Sequence, residues 1–180
     1  MPNWCENSLY IRGPHEDLKR FVEFARSPEG VFDFNRFIPY PERFERLDRL
    51  AELWEAWKAG RVKLDELSEE EIAFLVKCRE RPLDGYNQGG YDWCVENWGT
   101  KWNACEAYLY FHGENEVVYN FDTAWSPPLP VIRKASELFP SLEFRLEFFE
   151  AGMGFCGKYV CKGGKVLEEE WSEYHGDRGG

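Results

Sequence analysis

The chain has 180 residues, a length at which a single domain buries roughly 70% of its extended-chain surface. It is 43% hydrophobic and 17% aromatic with eight Trp, which excludes a disordered chain because that much apolar surface drives collapse. A net charge of −11 disfavours non-specific binding to a phosphate backbone, and no run of about 18 apolar residues is present to span a membrane as a helix.

Residues 4–12 alternate, with Cys5, Leu9 and Ile11 on one face and Trp4, Glu6, Ser8, Tyr10 and Arg12 on the other, which predicts a half-buried strand. Gly13-Pro14 ends it. Leu18, Phe21, Val22 and Ala25 then recur at helical spacing until Ser27-Pro28 stops the helix. Phe32 to Pro41 reads as a Pro-punctuated connection whose aromatic side chains plug the edge of the core. From Glu42 to Lys58, the apolar positions Phe44, Leu47, Ala51 and Trp54, joined by Leu50 and Trp57, predict a helix terminated by Gly60. Ser68-Glu69-Glu70-Glu71 is a capping-box pattern that opens another, with Ile72, Leu75 and Val76 inward. This helical pair is expected as an insertion at about 42–81.

Residues 82–90 are turn-rich, after which strand periodicity returns. Cys105, Ala107, Leu109 and Phe111 are expected inward, opposite Glu106, Tyr108, Tyr110 and His112. Gly113-Glu114-Asn115 forms a hairpin turn into a strand with Val117, Tyr119 and Phe121 inward. Ser126-Pro127 is expected to cap a helix whose Val131, Ile132, Ala135 and Leu138 face the sheet, and Pro140 ends it. Leu142, Phe144, Leu146 and Phe148 mark the next strand, residues 154–161 another, and 166–171 a short partner for it. The tail from about 172 to 180 is expected to be loose. The chain order predicts one α+β domain over 1–180, a ferredoxin-like split βαβ sandwich. Its antiparallel sheet has order 4-1-3-2, with both main helices on one face, the helical insertion and a C-terminal β-hairpin.

Three motifs carry a resemblance: Met1-Pro2-Asn3-Trp4-Cys5-Glu6-Asn7, Glu96-Asn97-Trp98-Gly99-Thr100-Lys101-Trp102-Asn103, and Phe121-Asp122-Thr123-Ala124-Trp125-Ser126-Pro127-Pro128. Together they resemble the YubB-like ferredoxin-like domain family of phage, plasmid and bacterial proteins. The resemblance implies the same fold with a helical insertion, and it implies no particular activity.

The topology brings these motifs to one edge of the sheet, where the starts of two strands meet the ends of two others. The candidate ligand-binding residues there are Asn3, Trp4, Glu6, Asn7, Trp98, Lys101, Trp102, Asp122, Thr123, Trp125 and Ser126. Tryptophans beside amides, hydroxyls and a lysine offer flat apolar surface with directional hydrogen bonds, as a pocket for a small molecule or peptide requires. Trp at strand ends also closes cores, with its indole N–H on a loop carbonyl, and Asn and Ser also cap turns.

Other chemistries find less support. RNA-recognition domains share this topology and stack bases on the open sheet face, where Tyr10, Tyr108, Tyr110 and His112 would lie. The same face carries Glu6, Glu106, Asp122, Glu143 and Glu147 against Arg12 and Arg145, so no direct nucleic-acid binding is expected. The six Cys, at 5, 78, 94, 105, 156 and 161, lack zinc-site spacing and are expected as reduced thiols, with Cys5 and Cys105 buried. His15, His112 and His175 are not placed to activate a nucleophile. No catalytic residues, metal or cofactor are therefore expected. The N-terminal residues carry neither a basic nor an apolar run, so a soluble cytoplasmic protein without membrane attachment is expected. The functional expectation is a non-enzymatic binding protein of mobile-element origin that uses the Trp-rich edge or the acidic face for a protein partner. The alternatives are an acidic DNA mimic that inhibits a nucleic-acid enzyme, and a small-ligand binder or enzyme using the same edge; oligomeric state is left open.

Overall fold

The computed structural model describes residues 3–176, and of Tyr110, Phe111 and His112 it describes the backbone alone. The chain divides into two compact units, one of residues 1–39 with 94–180 and one of residues 40–93.

The first unit is built on a six-stranded sheet of β1 (Trp4–Arg12), β2 (Cys105–His112), β3 (Glu116–Ala124), β4 (Glu143–Glu150), β5 (Phe155–Lys162) and β6 (Lys165–Glu173). The order across it is β2-β3-β1-β4-β5-β6, and every neighbouring pair is antiparallel. The expected order of four strands is thus widened to six. The terminal hairpin pairs through β5 onto β4 and continues the same sheet. The fold is α+β and ferredoxin-like, a mixed helix-and-sheet domain on an antiparallel sheet.

Alternation places the core on one face. Cys5, Leu9 and Ile11 of β1, Val117, Tyr119 and Phe121 of β3, and Phe144, Leu146 and Phe148 of β4 are all buried. Helices α1 (His15–Ala25) and α5 (Leu129–Leu138) cover that face. Phe21 of α1 meets Tyr119 and Phe144 edge-on, at 6.0 and 5.4 Å between ring centroids. From the connection, Phe32, Phe34 and Phe37 complete this aromatic core, as expected for a plug at its edge. Two details of α5 differ from the sequence pattern. Ser126 does not cap the helix, whose N-cap is Pro128, and Leu138 in its last turn is 44% exposed. Phe139 packs instead, against Phe21 and Phe24.

Strand β2 departs most from simple alternation. Cys105 pairs with Asp122 but Tyr108 with Asn120, so three steps on β2 oppose two on β3, and a second register shift falls between Leu109 and Phe111. The first bulge has Glu106 at φ 48°, a left-handed conformation uncommon outside glycine. Its consequence is a change of face. Cys105, expected inward, sits opposite Asp122 and is only half-buried, whereas Cys5 is fully buried. No disulfide joins any of the six cysteines, all of which are among the described residues.

The second unit holds α2 (Glu42–Lys58), α3 (Glu69–Lys77) and the start of α4 (Gly90–Trp98), and the insertion expected at about 42–81 lies within it. Gly60, at φ 66°, donates its N–H to the Trp57 carbonyl and ends α2. Ser68 Oγ accepts from Glu71 N, and the Glu71 carboxylate accepts from Ser68 N at 2.8 Å, completing the capping box. The helix α4 was not signalled by the turn-rich pattern before it. At the other terminus, β6 carries regular strand to Glu173 inside the segment expected to be loose, and residues 177–180 lie outside the described residues. No helix among the described residues is long and apolar enough to cross a membrane.

Candidate functional site

The ends of β1 and β3 meet as Trp4 opposite Ala124, and Trp125 N donates to the Asn3 carbonyl at 3.0 Å. Trp125 adopts φ 72°, which turns the chain out of the strand and leaves its ring 49% exposed. From the loop before β2, the Lys101 ammonium lies 3.1 Å from the Trp125 ring centroid and 5.7 Å from that of Trp102. Trp102 in turn meets Trp4, 37% exposed, edge-on at 6.4 Å. Three segments remote in sequence thus build one surface cluster of three indoles around an ammonium, a cation–π arrangement contributing about 0.5–1 kcal/mol per contact at an exposed site. Asn3 lies beside it, its amide against Gly152 of the β4–β5 turn.

The remaining candidates hold this cluster in place. Trp98 is 4% exposed, donates its indole N–H to the Ile38 carbonyl at 2.8 Å and packs edge-on against Phe34 at 5.8 Å. It closes the core. Asn7, buried, donates from Nδ2 to the Cys5 carbonyl at 2.8 Å and to Thr123 Oγ1 at 2.9 Å. Thr123 Oγ1 donates to the Ser126 carbonyl at 2.8 Å, and Ser126 Oγ to that of Gly99 at 2.6 Å. Thr100 Oγ1 adds a bond to the Ala124 carbonyl at 2.8 Å. These hydroxyls tie the Trp98–Trp102 loop to the end of β3, so their satisfaction fixes where Lys101 and Trp102 stand. Asn103 does the same for the far side of the loop, accepting from Phe34 N at 2.9 Å and donating to Asp33 at 2.7 Å.

Glu6 and Asp122 separate from the indoles onto the open face, opposite each other across β1 and β3. There they line a concavity of about 1160 Å³ that also takes in Glu106, Tyr108, Glu147, Lys158 and Tyr174. Glu106, expected on this face, lines it as well. Partial burial, then the like charges of Glu6 and Glu106, push the Asp122 carboxyl above its ordinary value. Elsewhere on the face charges are paired: Arg12 with Glu116, Arg145 with Glu147, and Lys158 with Glu168 at 2.5 Å. Tyr108 is 54% exposed, while the side chains of Tyr110 and His112, expected on this face, lie outside the described residues. Phe149, stacked on Tyr174 at 4.8 Å, and Lys158 are not among the sequence candidates, which on this face are Glu6 and Asp122. Burial pushes the Cys5 thiol up to about 12, so at neutral pH it is no nucleophile. Among the described residues, no group of three or more His, Cys, Asp and Glu is arranged to hold a metal ion.

These features define a ferredoxin-like domain whose two main helices leave one sheet face open within the unit, with an aromatic cluster at one end of it. Residues 97–178 match the family model described as the ferredoxin-like domain in Api92-like protein, a segment running from the Trp98 loop through β6. The crystal structure of the protein Api92 from Yersinia pseudotuberculosis is similar over 99% of this chain and 100% of that one, with a TM-score of 0.56 at 12% identity. That likeness is one of fold. The family description found is Api92-like, and the YubB-like name suggested by the motifs does not appear in it. No curated protein matches the chain.

Proposed function

We propose that this chain is a non-enzymatic binding protein that contacts a protein partner through the surface cluster of Trp4, Lys101, Trp102 and Trp125. The observation that carries this is the exposure of Trp4 and Trp125, at 37% and 49%, in a cluster that a dedicated hydrogen-bond network holds in place. Large rigid aromatics beside a cation supply contact area at low conformational-entropy cost, the character of interface hot spots. A cytoplasmic setting, a mobile-element origin and a finer kinship with YubB-like proteins belong to the same proposal, supported by the three motifs. The DNA-mimic alternative needs carboxylates in continuous rows. Along β1 Glu6 is followed on the open face by Ser8, Tyr10 and Arg12, and along β3 Asp122 by Asn120, Val118 and Glu116, the last paired with Arg12, so these rows are interrupted and lend it no support.

The test is affinity capture with wild type and with a Trp4→Ala/Trp125→Ala double variant whose fold is verified by circular dichroism. Recovery of a partner by wild type and its loss with the double variant supports the proposal. Equal recovery of the same partner by both counts against it.

A further inference from the structure

We propose that the open face of the sheet is a docking surface for an extended polypeptide segment rich in lysine and arginine, an inference that rests on the chain's being a protein-binding module. Within the first unit both main helices lie on the core side, and the opposite side of β2, β3, β1, β4, β5 and β6 forms the concavity of about 1160 Å³. Its charge is one-sided. Glu6, Glu106, Asp122, Glu116, Glu147 and Glu170 line it against Lys158. Arg12 and Arg145 compensate Glu116 and Glu147, and Lys158 lies 3.7 Å from Glu170. Glu106 and Asp122 form no ion pair among the described residues, and Asp122, partly buried, stands beside the like charges of Glu6 and Glu106, which with that burial raise its carboxyl.

The chemistry selects the occupant. A second copy of this chain would bring carboxylates against carboxylates, and a nucleic acid would bring phosphates against them. A basic segment reverses both signs. Tyr108, 54% exposed, and Tyr10, with the Arg145 guanidinium 5.9 Å from its ring centroid, provide faces for the stems and cations of long basic side chains. Strands spaced about 4.8 Å apart make a six-strand crossing of about 24 Å, which an extended chain rising about 3.4 Å per residue spans in about seven residues. Such a segment presents every second side chain to the face, so basic residues in alternation fit it.

Fluorescence anisotropy with a labelled peptide of about ten residues alternating Lys and Ser, and with its Glu-for-Lys counterpart, tests this. Wild type is expected to bind the lysine peptide alone, and more weakly as salt rises from about 0.05 to about 0.3 M. Glu106→Gln/Asp122→Asn is expected to raise Kd by about fivefold or more, as removal of two contacting charges implies, whereas Glu69→Gln/Glu70→Gln on α3 makes the same change of net charge and is expected to leave it within about twofold. Resonance shifts in wild type on adding peptide should fall on β1, β2 and β3, a readout that needs no variant. Absence of lysine-peptide binding overturns the inference, as does an equal shift in Kd for the two double variants. Loss of binding with Trp4→Ala/Trp125→Ala alone overturns it too, while leaving the aromatic cluster as the binding site. Retained peptide binding by that variant, together with unchanged capture of the natural partner, keeps the docking face and removes the aromatic proposal.

Discussion

Truncating Trp98 and Trp125 separately should divide the tryptophan motif into its structural and its exposed halves. Trp98 is 4% exposed, and its loss removes about 150 Å² of buried apolar surface, or about 4 kcal/mol at about 25 cal/mol per Å². The Ile38 carbonyl would also lose its indole donor at 2.8 Å, worth about 1 kcal/mol, while partial collapse of the cavity returns some of this. A net cost of about 3–5 kcal/mol follows for Trp98→Ala. At about 2–4 °C per kcal/mol for a protein of this size, Tm should fall by about 6–20 °C. Trp125 is half exposed, and its contact with Lys101 at 3.1 Å is a surface cation–π pair, so Trp125→Ala should cost only about 1 kcal/mol. Thermal and urea unfolding followed by far-ultraviolet circular dichroism measure both. A loss below about 1 kcal/mol for Trp98→Ala, or an equal loss for the two variants, would refute the division.

Asp122 should make the folded protein more stable when it is neutralised. Its folded carboxyl titrates above its unfolded value, so its stabilising contribution is fully present below about pH 3.9 and lost as pH rises through the folded pKa. At pH 7 the charge is a burden, and relief of a like-charged cross-strand pair, about 0.5 kcal/mol, should raise the Tm of Asp122→Asn by about 1–2 °C. The gain should vanish near pH 3; a Tm that falls at pH 7 rules out repulsion as the cause. The cysteines give a second check on packing: Cys5, Cys94 and Cys161 are buried and should resist iodoacetamide at about pH 8, while Cys78, Cys105 and Cys156 react. Burial pushes Cys161 up to about 11 and also raises Cys105, which should be slower than an open thiol. Mass spectrometry reading more than three rapid labels in the native protein would contradict this placement.

Much of the sheet was legible because its helices cover one face. Once only one side is buried, strict alternation marks that side, and Leu9, Ile11, Val117, Tyr119, Phe144 and Leu146 fall where their parity puts them. The bulges of β2 broke the same rule. Glu106 holds a positive φ although nothing about a glutamate announces one, so Cys105 changed faces without a local signal. The start of helix α4 is hidden in the sequence because Gly89-Gly90 reads as a turn. Cys94 and Trp98, both buried and one helical turn apart, were the signal that could have revealed it.

Chain order sufficed to bring Trp4, Trp102 and Trp125 together, since antiparallel pairing of β1 with β3 fixes where their ends meet. Which indole turns inward depends on the element it ends. Trp98 closes a helix whose buried stripe already contains Cys94, whereas Trp125 follows a strand on a positive-φ residue that points its ring away. The polar candidates divide by the same logic. Thr123 has inward parity, and its hydroxyl is taken up between the Asn7 amide and the Ser126 carbonyl. Asp122, one residue earlier, has outward parity and must share the open face with Glu6. A stability-driven choice at position 122 would favour a neutral residue there. Among the described residues the carboxylate forms no ion pair, and a cation arriving from outside the chain would supply one, which is why the open face is the place to add a basic segment.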